Sequence, residues 1–148
     1  MTTSKAGITG ELTITLTDEN GNVKYENTVH NLITTAGDQY YAKQGANGVG
    51  GNTAPTLASG MKLGTATTAV AKSSTGANIG TYISGSNATF TSVTPAVVSG
   101  DTGWKITYVS SWAAGTATNS SIQEVALVND QSNNSDGSSV ANTYARAL

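Results

Sequence analysis

The sequence predicts a mainly β fold, an antiparallel β-sandwich or a jelly-roll-like barrel, with one short α-helix near residues 35–44. Three observations predict it. Short apolar runs alternate with Thr at a period of two, the pattern of half-buried strands. Turn-forming residues recur between those runs, and Ser, Thr, Asn and Gly supply about half of the 148 residues. One stretch alone, "HNLITTAGDQYYAKQ" (30–44), reads as helical. A chain of this length buries a core without staples and suits one domain. We read residues 1–8 as an N-terminal arm and 9–148 as a single β domain.

The elements follow in order. In "ELTITLT" (11–17), Leu12, Ile14 and Leu16 alternate with Thr13, Thr15 and Thr17, so a strand is expected at about 9–17. Asn20-Gly21 in "DENGN" is a strong hairpin-turn signal. It leads into a second strand at about 22–30, with Val23 and Tyr25 inward. Thr35 is a candidate helix cap, with Asp38 near the positive end of the helix dipole. Leu32, Ile33, Ala36 and Tyr40 supply a short apolar stripe, and the glycines of 45–52 end the helix. "MKLG" (61–64) is a short strand, 65–80 an irregular excursion, and 81–98 a strand that Pro95 confines to an edge or a turn. "WKITYVSSW" (104–112) puts Trp104, Ile106, Tyr108 and Trp112 on one face. A further strand is expected at 121–129 and a closing one at 140–148. Strands this short and regularly punctuated indicate an antiparallel sandwich or barrel. No internal repeat is visible.

Composition narrows the function. Charged residues make up 11% and the net charge is −2, with no basic run, so nucleic acid is not an expected partner. There are no cysteines, hence no disulfide frame and no thiolate metal site. "MTTSKAGITG" has no apolar h-region of a signal peptide, and no run approaches the ~18 apolar residues of a membrane span. No cofactor is expected. A surface of hydroxyls and amides suits a protein that works by contact within an assembly. Met1, Thr2, Thr3, Ser4 and Lys5 form an arm with too little apolar surface to pack alone, so its order is expected to depend on a neighbouring subunit.

Candidate chemistry is sparse. His30 is the sole histidine, and without a defined nucleophile beside it the ordinary reading is a strand-end residue. "TDENGN" (17–22) lacks the spacing and closing Glu of a calcium loop. "GANGVGG" (45–51) follows a helix rather than a strand, so it is no phosphate cradle. Glu124 stands apart in "IQEVALV", among apolar neighbours. A catalytic acid is one reading. A structural carboxylate is the favoured one, because a buried charge needs a partner.

The order of segments resembles a diffuse group of small virion proteins of tailed bacteriophages. Asn31 and Gly37 match an "N-L-x-x-x-x-G" helix start, Leu63 to Thr65 an "x-L-G-T-x-T-T-A" segment, Ile122 to Leu127 an "S/T-I-x-E-V-A/G-L" strand, and Ala145-Arg146 a closing Ala-Arg pair. The match spans about 28–148 and leaves the N-terminal hairpin outside. The resemblance implies a capsid decoration (cement) protein, or a tail, neck or fibre component. Its partners would be the major capsid protein and further copies of itself, its place the virion, and its role non-enzymatic. A small glycan-active enzyme and a surface adhesin domain are the rival readings.

Arg146, the chain's one arginine, lies in the last segment of that pattern. If strands 121–129 and 140–148 form a hairpin, Arg146 and Glu124 meet on one face. Arg grips a carboxylate with two parallel hydrogen bonds, so a structural ion pair between Glu124 and Arg146 is expected.

Overall fold

Alternation and turn chemistry produce seven antiparallel strands and one α-helix. The computed structural model describes residues 7–100, 103–134 and 137–148; the arm positions Met1, Thr2, Thr3, Ser4 and Lys5 lie outside the described residues. In chain order the elements are β1 (Gly10–Thr17), β2 (Val23–Ile33), α1 (Thr35–Gly45), β3 (Gly60–Gly64), β4 (Ala88–Val97), β5 (Trp104–Ser110), β6 (Glu124–Val128) and β7 (Thr143–Ala147). Short 3₁₀ turns occupy Ser74–Ala77 and Val140–Asn142. The strands form one curled, half-barrel sheet in the order β1-β2-β7-β6-β3-β4-β5. The mainly β, barrel-like class is therefore the observed one.

The centre of this sheet, β3-β6-β7, is covered on both faces, which is why every residue of β6 and β7 is buried. On one face Ile33, Tyr40, Leu127, Tyr144 and Ala145 form the main apolar cluster, with Met61, Phe90 and Tyr108 packed against it. Helix α1 covers this face. Tyr40 stacks on Tyr144 with ring centroids 4.5 Å apart and 17° between planes. The helix is thus a packing wedge; its eleven residues would be marginal alone. Its cap is Thr34 rather than Thr35. Thr34 is extended, its Oγ1 accepts from the Gly37 N–H at 3.1 Å, and the same hydroxyl donates to the Thr143 carbonyl at 2.5 Å. One buried residue therefore caps the helix and ties it to β7, a bond that a surface cap at Thr35 has no means to make. Leu32 and Ile33 belong to β2, so the apolar stripe of α1 is shorter than the sequence suggests. Asp38 pairs with Lys72 at 2.7 Å instead of serving only the dipole.

The opposite face carries Lys62, Glu124, Ala126, Val128 and Arg146. Registers Lys62↔Ala126 and Ala126↔Arg146 place them together. Residues 65–87 fold over this face, with Ile79 and Tyr82 against Ala126 and Val128. The irregular excursion expected at 65–80 is thus the second lid of the core, together with residues 81–87, expected to open a strand that begins only at Ala88.

Two hairpins extend beyond the covered centre. β2 pairs with β7 only through Leu32 and Ile33, while it pairs with β1 from Val23 to Asn31. β4 pairs with β3 only through Ala88 and Thr89, while it pairs with β5 as far as Val97. Pro95 accordingly sits where β4 has one partner strand. A register shift between Phe90 and Ser92 moves the odd residues Val93, Pro95 and Val97 onto the side that Phe90 occupies. Val23 and Tyr25, expected inward, are exposed for this reason, as are Trp104 and Ile106 on the shared face of β5. Parity assigns their shared face correctly, but no second layer covers it.

Tyr41, Tyr108 and Tyr144 all have hydroxyls raised above the ordinary value of 10.0, with burial the first cause in each. For Tyr108 the neighbouring Tyr41 hydroxyl pushes in the same direction; for Tyr144 a hydrogen bond from Asn129 opposes the rise. A raised folded-state pKa leaves stability untouched below pH 10 and removes it above, as the unfolded chain ionises first. These phenols are expected to ionise only as the fold opens. Phenolate absorbance should therefore rise together with loss of the β circular dichroism signal. Ionisation of Tyr41, Tyr108 and Tyr144 before any unfolding would contradict this.

Candidate functional site

Two features qualify as sites: the polar cluster beneath the excursion, and the exposed faces of the two hairpins. The cluster is built by β6 and β7. Their antiparallel register sets Ala126 opposite Arg146, so Glu124 lies diagonally across on the same face. The structure brings Glu124 and Arg146 together, both side chains fully buried. Arg146 Nε donates to Glu124 Oε2 at 2.8 Å, and Nη2 lies 2.7 Å from the same oxygen. Nη2 meets the distance of an ion pair without the alignment of a hydrogen bond. The grip therefore differs from the expected one of two parallel bonds to two oxygens. Oε1 is taken instead by the N–H groups of Ala66 and Thr81, at 3.1 and 3.0 Å, and Gly80 N–H adds a third donor on Oε2 at 3.1 Å. Arg146 Nη1 turns away to the carbonyls of Thr68 and Gly76, at 2.8 and 3.2 Å.

The pair thus holds the excursion to the sheet. Five backbone groups of residues 66–81 end on two side chains from β6 and β7. Gly64 makes room for them: a Cβ there would run into Glu124 Oε1 and sit 2.6 Å from the Thr81 carbonyl. Every lone-pair direction of the carboxylate is engaged, and it has no access to solvent.

A second polar pair went unread in the sequence. Lys62, fully buried, lies 3.5 Å from Asp130 and 5.5 Å from the Tyr82 ring centroid. Asp130 also accepts from the Ser138 hydroxyl and, at 3.1 Å, from Asn142 Nδ2. The signal was a lysine between two apolar residues in "MKLG", in a strand with no exposed face to receive it.

The remaining candidates stay apart. His30 is 86% exposed on the Thr-rich reverse of the first hairpin, 3.9 Å from Glu11. Asp18 accepts from the backbone of Asn20 and Asn22 and from the Asn22 side chain, and Lys24 lies 3.3 Å away. The Asn22 side-chain bond is the main reason its carboxyl lies below the usual range. This is a closed turn rather than an ion site. Among the described residues, no group of His, Cys, Asp and Glu is arranged to hold a metal, and no helix is long and apolar enough to cross a membrane.

The hairpin faces are of another kind. On β1–β2 the registers Leu12↔Val29, Ile14↔Asn27 and Leu16↔Tyr25 put six uncharged side chains on one side. They wall a groove of about 370 Å³ whose other wall includes Ile122 and Leu148. On β4–β5 the registers Val93↔Tyr108, Pro95↔Ile106 and Val97↔Trp104 make a second uncharged face. It borders a groove of about 340 Å³ with Tyr40, Leu57 and Ala58. Trp104 is 76% exposed. Compared with known proteins, the chain matches no family, no curated protein and no solved structure.

Proposed function

We propose that the chain is a structural protein of a phage virion, in first place a capsid decoration protein. It would bind the outer shell between capsomers, with the major capsid protein and neighbouring copies of itself as partners. The observation that carries this reading is the pair of long hairpins whose apolar, charge-free faces the chain's own core does not use. The ordered run of segment resemblances supports it. Decoration of this kind works by added buried area rather than by chemistry, and the sealed Glu124 and the exposed His30, apart from it on the first hairpin, favour a non-enzymatic role. No nucleic acid or membrane partner is part of the proposal. A stained gel of purified particles tests it: hundreds of copies per particle are expected, and absence from the particle overturns the reading.

A tail, neck or fibre component is the second reading. It is favoured by Trp104, an exposed aromatic ring beside a groove, on which a host-surface sugar would stack. Tens of copies or fewer would select it.

The arm supplies a further test. Deleting residues 1–7 is expected to leave the melting temperature of the isolated protein nearly unchanged and to weaken its binding to particles. Loss of the fold on deletion would contradict the assignment of Met1–Lys5 to assembly.

A further inference from the structure

The sheet ends in two unshielded edges. β1 and β5 are its outermost strands, so each presents a row of backbone groups that no neighbouring strand among the described residues accepts. Proteins commonly blunt such edges with Lys, Pro or a bulge. β1, "GELTITLT", has neither Lys nor Pro, and β5 has a single Lys105. Lys105 pairs across with Ala96, on the reverse of the apolar face. Glu11, Glu26 and His30 of the first hairpin likewise lie on the reverse of its apolar face, and Lys24 sits at the register shift beside the turn, 3.3 Å from Asp18. Leu16, Tyr25, Ile122 and Leu148 are 53%, 51%, 39% and 45% exposed at one groove. Val93, Ile106 and Leu57 are comparably open at the other, and Val97 and Trp104 further along the same hairpin face. Each face amounts to apolar surface on the order of 500 Å², at the upper end of what a monomer exposes.

We propose that the occupant of these faces is a second copy of this chain, joined head to tail: the β4–β5 hairpin of one copy seats on the β1–β2 groove of the next. Area argues for it. One such face against the other removes on the order of 1,000 Å² in total, the size at which a specific interface begins. Charge argues for it too, because neither face offers a group that would select a charged partner. Symmetry then separates the ways two copies can meet. An isologous dimer through one hairpin leaves the other hairpin bare on every copy. A head-to-tail contact covers both with one kind of interface, and a ring that closes leaves neither face bare. The inference deepens the assembly reading by naming the copy-to-copy surface.

Analytical ultracentrifugation of the full chain and two variants tests it. Trp104→Glu disables the β4–β5 face and Leu16→Glu the β1–β2 face. Both sites are exposed, so circular dichroism and melting temperature should match the parent. Trp104→Ser and Leu16→Thr serve as milder replacements should either Glu variant misfold. The parent is expected to sediment as an oligomer. Each variant alone should associate about thirty-fold more weakly or worse, the loss typical of a central aromatic anchor. An equimolar mixture of the two should form dimers, since one intact face of each kind remains. A variant that keeps its self-association, or a mixture with no new species, overturns the head-to-tail contact. A parent that stays monomeric at tens of micromolar overturns self-association altogether. Capture of that monomer by particles would still leave the decoration reading standing, so the two failures are distinguishable.

Discussion

Replacing Glu124 with Gln, or Arg146 with Met, is expected to lower the stability of the fold by about 3–5 kcal/mol. For a chain of this length that corresponds to a fall in melting temperature of roughly 6–20 °C. The cost arises less from the lost attraction than from what is left behind. Without Arg146, a carboxylate remains in a site with no solvent access, held by three backbone N–H groups. Without the Glu124 charge, a guanidinium faces two carbonyls and no anion. The double variant Glu124→Gln/Arg146→Met removes both charges at once. It is therefore expected to lie well above the sum of the single losses, with coupling of at least about 2 kcal/mol. Denaturant unfolding of the four proteins measures this. Coupling near zero would show that the two side chains, despite their contact, are independent in energy. The excursion should respond as well. Its amides at Ala66, Gly80 and Thr81 should lose hydrogen-exchange protection in Glu124→Gln before those of the central strands, because their acceptor is the altered group.

The two polar pairs show what a sequence discloses about a core. Glu124 was conspicuous because it interrupts "VALV"-type apolar sequence, and Arg146 because the chain has no other arginine. Lys62 escaped because six lysines offer no such singularity, and because "MKLG" is too short to show which faces are covered. The deciding fact was remote. Residues 65–87 fold back over β3, β6 and β7, and a segment of Thr, Ala, Ser and Gly carries no periodic signal of that role. The hairpins illustrate the converse. Alternation fixed the registers and faces of β1, β2 and β5, since a half-buried strand and an unpartnered strand with one apolar face follow the same pattern. Period alone carries no information on whether a second layer exists. Val23 and Tyr25 read as inward and stand exposed, as do Trp104 and Ile106 on their shared face, and the difference lies in where β3 and β7 stop pairing with their neighbours. Strand ends shifted for local reasons: Ile122 lies outside β6, which begins only where Glu124 meets Gly64 across β3.

Gly37→Ala is expected to destabilise the fold by about 3 kcal/mol, against the sign that helix propensity alone predicts. Gly37 is the third residue of α1, where Ala is the better helix former by about 1 kcal/mol. Packing decides otherwise. A Cβ on Gly37 would run into the Tyr144 carbonyl oxygen of β7 and lie 2.8 Å from Ile33 Cγ2. The carbonyl belongs to the central, fully buried strand and already accepts from the Thr34 N–H at 3.0 Å, so it has little freedom to yield. The helix must move instead. Movement lengthens the Thr34 bonds to Thr143 and Tyr144 and unstacks Tyr40 from Tyr144. Overpacking of this kind typically costs 1–3 kcal/mol and sometimes more, and the upper end applies where the obstacle is backbone. The glycine of "N-L-x-x-x-x-G" thus has a physical reason: it lets the first turn of the wedge lie directly on the sheet. Thermal unfolding of Gly37→Ala beside Gly45→Ala gives the comparison. A Cβ on Gly45, at the exposed end of the same helix, meets nothing within 4 Å, so its replacement is expected to be neutral or slightly stabilising. Equal effects at the two positions would show that α1 does not approach β7 closely enough to exclude a methyl group.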